Sequence, residues 1–327
     1  LYDNAQLVSL YSEAFQYTPD PIYKHVVFEC LEFIEREMTS ADGGFYSAID
    51  ADSEGVEGKF YSFTKDEIKT ILGDDEALFS IFYQVTDEGN WIEEGTNVFN
   101  RKFENSDLAL QLGISVSELE SKITLAKSKL LHARSSRIRP GLDNKILASW
   151  NGMMLKAYSD AYRVFGEAKF LEIAKVSADF ISEKLINSNK LIRVYNANMQ
   201  QNDDSVAFLD DYAFVIDGLI GLYEACFDES YLQIAKQLTE NAIAEFYDEK
   251  SGMFFYTAKS GEQLIARKQE IIDNVIPSSN SMMAHNLFKM GHLYDQKEYL
   301  NISSQMLRNV HSQIKTYGSG YSNWASL

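Results

Sequence analysis

The sequence predicts an all-α protein, an (α/α) toroid of tandem helical hairpins, on three observations. Four segments align with one another: DNAQLVSLYSEAFQYTPDPIYKHVVFECLEFIEREM, WNGMMLKAYSDAYRVFGEAKFLEIAKVSADFISEKL, DYAFVIDGLIGLYEACFDESYLQIAKQLTENAIAEF and SNSMMAHNLFKMGHLYDQKEYLNISSQMLRNVHSQI. Each reads as two stretches of helix-period apolar residues joined by a short break. Within each, the first helix is apolar nearly all round (MMLKAYSDAYRVF, AFVIDGLIGLYEACF) and the second keeps a polar face (LQIAKQLTENAIAEF), so the first belongs inside and the second outside. Breaks within hairpins are short, whereas connections between hairpins are long, which gathers the long loops at one end. Inside–outside hairpins extend as a solenoid or close into a ring. Bulky loops at one end of an apolar inner helix favour the ring, with a cup at the long-loop face.

In chain order, the hairpin breaks fall near Thr18-Pro19, Gly166, Asp228 and Gln296. Tyr11, Tyr158, Tyr223 and Tyr294 take equivalent places in the first helices, and the wide spacing between the first two leaves room for a degenerate unit. Lys65 to Val85 followed by Ser115 to Ala133 supplies it, making five hairpins in one domain over 1–327. The connectors ADGGFYSA, NSNKLIRVYNA and KSGMFFYTA pair turn residues with alternating aromatics and read as small β-hairpins.

Thirty basic against 48 acidic residues give a net charge of −18. Such a field repels phosphate backbones and anionic membrane surfaces, which argues against a nucleic-acid or membrane partner. No apolar run is long enough to span a bilayer. Cys30 and Cys226 sit in helical patterns without a CxxC and read as free thiols of a reducing, cytoplasmic compartment. The chain begins at Leu1 rather than methionine and reads as a fragment.

The residues at or before the inner-helix starts are the candidate site. They are Asp3 and Asn4; Asp143, Lys145, Trp150 and Asn151; Asp210, Asp211 and Tyr212; and Asn280. The loops add Asp50, Asp52, Glu57, Trp91 and Asn97. Acids and amides share hydrogen bonds with vicinal hydroxyls while aromatic faces cover the C–H side of a sugar ring, so the mixture suits a saccharide. Asp and Asn at helix starts also cap orphan N–H groups, and for Asp3, Asn151 and Asn280 that reading competes with ligand binding. Asp210 and Asp211 repel each other, so one needs a partner beyond a cap.

Asp50-x-Asp52-x-Glu54-Gly55 opens like a calcium loop, but position 12 is Tyr61 where a bidentate glutamate is required, and no metal site is expected. Its flanks, GGFYSAI and GKFYSF, read as a hairpin with the acids at its tip. Crowded carboxylates raise one another's pKa, which suits general acid work. The histidines, His285 and His292 among them, read as core or surface residues, and no cofactor motif is present.

LYDNAQL, GGFYSAIDADSEGVEGKFY, RIRPGLDNKILASWNGMM, LDDYAFVIDGLIGLYEA and DNVIPSSNS, in this order, resemble the spermatogenesis-associated protein 20 family, from Leu1 to about Trp324. The resemblance implies a six-hairpin, glycosidase-like (α/α)6 toroid, of which five hairpins are here, and an upstream thioredoxin-like domain as a partner within the same full-length protein. It departs from the family at Asn144, where a second acid is usual, and at Ser279, where a glycine is usual.

Two functions follow as expectations. One is a carbohydrate-active enzyme or sugar-binding cup. Hydrolysis would pair Asp52 or Glu57 with Asp143 or Asp211 at the separations glycosidases use; a 2-epimerase-like isomerase is the alternative. The other is a non-catalytic scaffold serving the thioredoxin-like domain.

Overall fold

The computed structural model describes residues 1–196, 206–261 and 265–327. Its helices are α1 (Tyr2–Tyr17), α2 (Pro21–Glu37), α3 (Lys65–Leu72), α4 (Glu76–Tyr83), α5 (Asn105–Leu112), α6 (Val116–Arg134), α7 (Ala148–Phe165), α8 (Ala168–Phe180), α9 (Leu209–Cys226), α10 (Glu229–Phe246), α11 (Ser279–Leu293), α12 (Lys297–Thr316) and α13 (Ser322–Ser326). The described strands are only two residues long. The fold is all-α, built of paired helices. The sequence reads as one domain; the chain divides into two compact units, Leu1–Ala48 with Asn144–Leu327, and Ile49–Asp143.

The first unit is an array of four antiparallel hairpins: α1–α2, α7–α8, α9–α10 and α11–α12. The inner helices run side by side in the order α1, α7, α9, α11. Burial follows the expected division: α9 is buried without interruption from Leu209 to Leu222, while α12 buries only five positions, Tyr299, Ile302, Ser303, Met306 and Val310, spaced on one face. Two glycines bring α7 and α9 backbone to backbone. A Cβ on Gly152 would stand 2.5 Å from the Phe214 carbonyl, and one on Gly218 the same distance from the Gly152 oxygen. Helix ends agree with the expected breaks, with Gly166 left-handed after α7 and Asp228 capping α10.

The fifth hairpin expected over Lys65–Val85 and Ser115–Ala133 does not enter this array, because α1 packs directly on α7. Those segments form α3, α4 and α6 of the second unit, around their own core of Ile68, Leu72, Phe79, Phe82, Leu108, Leu119 and Ile123. Helix-period apolar residues there face that local core, so periodicity alone mimics a ring hairpin.

The connectors of the first unit are short β-hairpins at the inner-helix starts. Ile186–Asn187 pairs with Lys190–Leu191 around Ser188 and Asn189, both at positive φ, and Tyr247–Asp248 pairs with Met253–Phe254.

Candidate functional site

The acids and amides expected to ring a sugar divide into three groups. The first rivets the connectors to the inner helices. Asn151 is fully buried; its Oδ1 accepts the Phe45 N–H at 2.7 Å, and its Nδ2 donates to the Phe45 and Leu147 carbonyls at 3.0 and 2.9 Å. Asn280 repeats the arrangement on Phe254, accepting its N–H at 2.8 Å and donating to the Phe254 and Glu270 carbonyls. The Tyr212 hydroxyl accepts the Leu191 N–H at 3.1 Å and lies 3.1 Å from Asn241 Oδ1. The capping reading of Asn151 and Asn280 is corrected: each pairs its amide with a peptide of a connector strand. A ligand-facing role is equally unserved, since these groups are buried and engaged.

Asp211 does the same work at a helix start. It is 0% exposed, with Oδ1 accepting the Ser149 N–H of α7 at 3.1 Å and Oδ2 accepting the Phe208 N–H and an Arg193 N–H, both at 2.9 Å. Asp210 Oδ1 accepts from Arg193 at 3.3 Å, so the partner that two adjacent acids require is Arg193, stacked on Phe208. Burial, then the neighbouring Asp210, push the Asp211 carboxyl up to about 7 against the pull of Arg193. With both oxygens engaged and no exposed surface, Asp211 does not offer the opposed carboxylate of a hydrolase.

The second group lies in the second unit. The acidic tip is itself a minimal hairpin, Asp52–Ser53 against Val56–Glu57, turning through Glu54 and Gly55 at positive φ. The longer hairpin expected of its flanks is not formed, because Asp50 donates its N–H to the Gly141 carbonyl. Asp52 and Glu57 stand opposite each other and are exposed, and Glu54 is paired with Lys59 at 2.9 Å. Asp50 caps the tip, its Oδ1 accepting the Asp52 N–H. Trp91 packs on Gly58, where a Cβ would meet its ring at 2.5 Å. Asn97 is buried and orders its own loop, accepting from the Thr86 and Asn90 N–H groups. Asp143 is half-buried. A cleft of about 540 Å³ lies beside the tip, lined by Glu57, Glu94, Lys59 and Arg137.

The third group remains at the first unit's helix starts. Trp150 and Tyr2, both half-buried, meet at 5.0 Å between ring centroids. Asp3 is exposed, Asn4 half-buried, and Lys145 exposed with its carbonyl accepting the Ser47 N–H.

The pocket that all four inner helices build was not foreseen. About 620 Å³ in volume, it is lined by Gln6, Leu10 and Glu13 of α1, Met153 and Lys156 of α7, Phe214 and Asp217 of α9, and Met282, His285 and Lys289 of α11, with Asn323 and Ser326 beside them. These positions run from the first half of each helix, at Gln6, Met153, Phe214 and Met282, to beyond the midpoint at Glu13 and Lys289. Size and mixed lining fit a small-molecule site.

Its charges are arranged in a chain. Lys156 Nζ is 2.6 Å from both oxygens of Asp160, and Lys289 Nζ is 2.8 Å from Asp217 Oδ1. Burial would lift the Asp217 carboxyl, but Lys289 and Lys156 outweigh it and hold it below the usual carboxylate range. For Lys156 burial pulls down and loses to Asp160 and Asp217, so the ammonium is firmly protonated. His285 Nε2 is 2.8 Å from the Asn323 carbonyl. His292, two turns on, is exposed against the Phe288 ring. Sequence signals for the pocket existed in the i, i+4 pair Lys156–Asp160 and in His285, yet both patterns are common on structural helices. Among the described residues no three His, Cys, Asp or Glu side chains group to hold a metal, and no helix is long and apolar enough to cross a membrane.

No family model matches the chain. Human spermatogenesis-associated protein 20 is 32% identical over 333 residues, covering 92% of this chain and 42% of that protein. An uncharacterized protein of Caenorhabditis elegans is 31% identical over 346 residues, covering 97% of this chain and 47% of that protein. By this similarity the chain is a relative of spermatogenesis-associated protein 20. It spans less than half the length of these relatives. Among solved structures, D-mannose isomerase superposes with a TM-score of 0.47 at 16% identity, over 94% of this chain and 75% of that one. A family 105 glycoside hydrolase of C. acetobutylicum gives 0.46 at 12%, over 94% and 76%.

Proposed function

We propose that the first unit binds a small neutral saccharide in the pocket between its inner helices, with His285 as the group that moves a proton. The observation that carries this reading is the pocket's lining: four helices contribute a histidine, lysines, an aspartate, an amide and apolar side chains around about 620 Å³. Lys156 is paired with Asp160 and Lys289 with Asp217, with Glu13 a further acid of the lining, while spare lysine N–H groups and the Asp217 carboxylate remain to serve hydroxyls. Met153, Phe214 and Met282 give the C–H face of a sugar ring an apolar wall. Proton transfer by histidine supports an isomerase- or epimerase-like reaction over hydrolysis by two carboxylates, since Asp211 is engaged and Asp217 is held by Lys289.

The test is a thermal-shift and calorimetric screen against mono- and disaccharides, because a ligand that binds only the folded state raises the midpoint by mass action. A shift with wild type that His285→Ala abolishes or weakens about tenfold supports the reading, as does deuterium uptake from heavy water into a bound sugar. No shift with any sugar sinks it.

A scaffold role is the second reading, favoured by the burial of Asn151, Asp211 and Asn280, whose polar groups are taken up by the fold itself. The partner would be the thioredoxin-like domain the family resemblance implies. In that case adding that domain raises the midpoint and sugars do not.

A further inference from the structure

We propose that Asp273 is a positioning residue for His285: it holds the segment Gly318–Ser326 so that the Asn323 carbonyl fixes the imidazole as its Nε2–H tautomer and leaves Nδ1 as the proton acceptor. The use made of that acceptor rests on the saccharide reading; the tautomer itself does not.

Asp273 is buried at 9% exposure and saturated with hydrogen bonds. Its Oδ1 accepts the Ser278 N–H and the Ser281 hydroxyl, each at 2.9 Å, and its Oδ2 accepts the Asn323 N–H at 2.9 Å. Its own N–H donates to the Gly320 carbonyl at 2.8 Å. Asp273 thus ties the start of α11 to the backbone on both sides of Tyr321, through its carboxylate at Asn323 and through its own N–H at Gly320. Trp324, fully buried and donating its indole N–H to the Ile271 carbonyl, already anchors the segment. Asp273 adds the register of the Asn323 peptide relative to α11, the helix that carries His285.

The consequence is at the imidazole. The Asn323 carbonyl lies 2.8 Å from Nε2, and a carbonyl oxygen only accepts, so Nε2 carries the hydrogen. The Ser326 hydroxyl, 3.3 Å from the same nitrogen, donates its hydrogen to that same carbonyl at 2.8 Å and does not compete for a tautomer of the other kind. A neutral imidazole fixed this way has its lone pair on Nδ1. A partner that selects the tautomer through the far ring nitrogen is the arrangement that proton-transferring and metal-binding histidines use.

Long-range ¹H–¹⁵N spectra of the histidine-labelled protein, recorded at alkaline pH where the ring is neutral, read the tautomer without any ligand. Wild type should show His285 with a protonated Nε2 and an unprotonated Nδ1. Asp273→Ala removes the acceptor of the Asn323 N–H, which an asparagine would keep by turning its amide oxygen to it, and should release the lock, moving the two nitrogen resonances toward each other. Asp273→Ser, too short to reach the Asn323 N–H, keeps a polar group at the start of α11 and should do the same if the alanine variant does not fold. Ser281→Ala removes a hydroxyl that bonds Asp273 and accepts the Asn323 side-chain amide but leaves the Asn323 N–H on Asp273, and should keep the wild-type pattern if that N–H is what sets the peptide. A protonated Nδ1 in wild type overturns the proposal, as does an unchanged tautomer in either folded release variant. Failure of the saccharide reading would appear instead as silence in the sugar screen with the tautomer result intact.

Discussion

Replacing Asp211 by asparagine changes how stability depends on pH, and the size of the change follows from the burial of the carboxyl. In the folded protein Asp211 titrates at about 7, raised by burial and by Asp210, against an ordinary value of 3.8. A raised carboxyl favours folding when protonated. That contribution is fully present below the unfolded value and is lost as pH climbs through the folded one. Each pH unit separating the folded and unfolded titrations carries about 1.4 kcal/mol, so this single group loses about 3 kcal/mol between pH 5 and pH 8. Asparagine at 211 does not titrate, so its stability lacks this slope. Unfolding of wild type and Asp211→Asn by urea at pH 5, 6, 7 and 8 measures it, and subtracting the curves cancels the titrating groups that do not interact with Asp211. The wild-type advantage should shrink by about 3 kcal/mol across the range. A flat difference, or one that grows with pH, would show that Arg193 outweighs burial and that the carboxylate is stabilised as an ion.

Other substitutions probe other parts of the structure. Asp217→Asn should act in the opposite direction: its carboxyl is held below the usual range by Lys289 and Lys156 despite burial, so its contribution is present above the unfolded pKa and lost as pH falls through the lowered folded one. Acid denaturation of the variant should be correspondingly less steep. Asn280→Ala strands the Phe254 N–H and carbonyl in the core and should cost about 2–5 kcal/mol, read by denaturant unfolding. Gly152→Ala forces α7 off α9 and should cost about 1–3 kcal/mol or more, whereas an alanine at Gly166, which has no atom within 4 Å, meets only its left-handed φ. In the saccharide screen a neutral hexose should bind at least about tenfold more tightly than its phosphate ester, measured by calorimetry, because a phosphate must break the Lys156–Asp160 or Lys289–Asp217 pair to find a cation.

The hairpins were legible because burial leaves a period in the sequence. Helix α9 is apolar at nearly every position and α12 on one face only, and inner and outer places follow from that difference alone. The second unit was not legible for the same reason: Ile68, Leu72 and Phe79 keep helical spacing around a local core, and no pattern says which core a stripe faces. The site residues divide likewise. Composition marks Asn151, Asp211 and Asn280 as polar groups beside apolar helices, but apart from Arg193 on Asp211 the partners described are backbone groups, those of Phe45, Ser149 and Phe254 among them, and backbone partners carry no side-chain signature. Lys156, Asp217, His285 and Lys289 come from three helices, and only packing brings them to one pocket.

Asp211 and Asp217 show what that packing decides. Both are carboxylates in the first half of α9, and both are at most 8% exposed. Asp211 lies beside another acid with one arginine between them, and its oxygens are consumed by N–H groups at two helix starts. Asp217 lies between two lysines and lines the same pocket as His285. Burying an ion pair is costly unless its geometry is good, and pairs so placed are often held for specificity more than for stability. The first carboxylate secures the helix starts from which the connectors are hung. The second, tied to Lys289 and within reach of the field of Lys156, helps leave both lysines engaged by acids, so the ligand the pocket suits is recognised hydroxyl by hydroxyl.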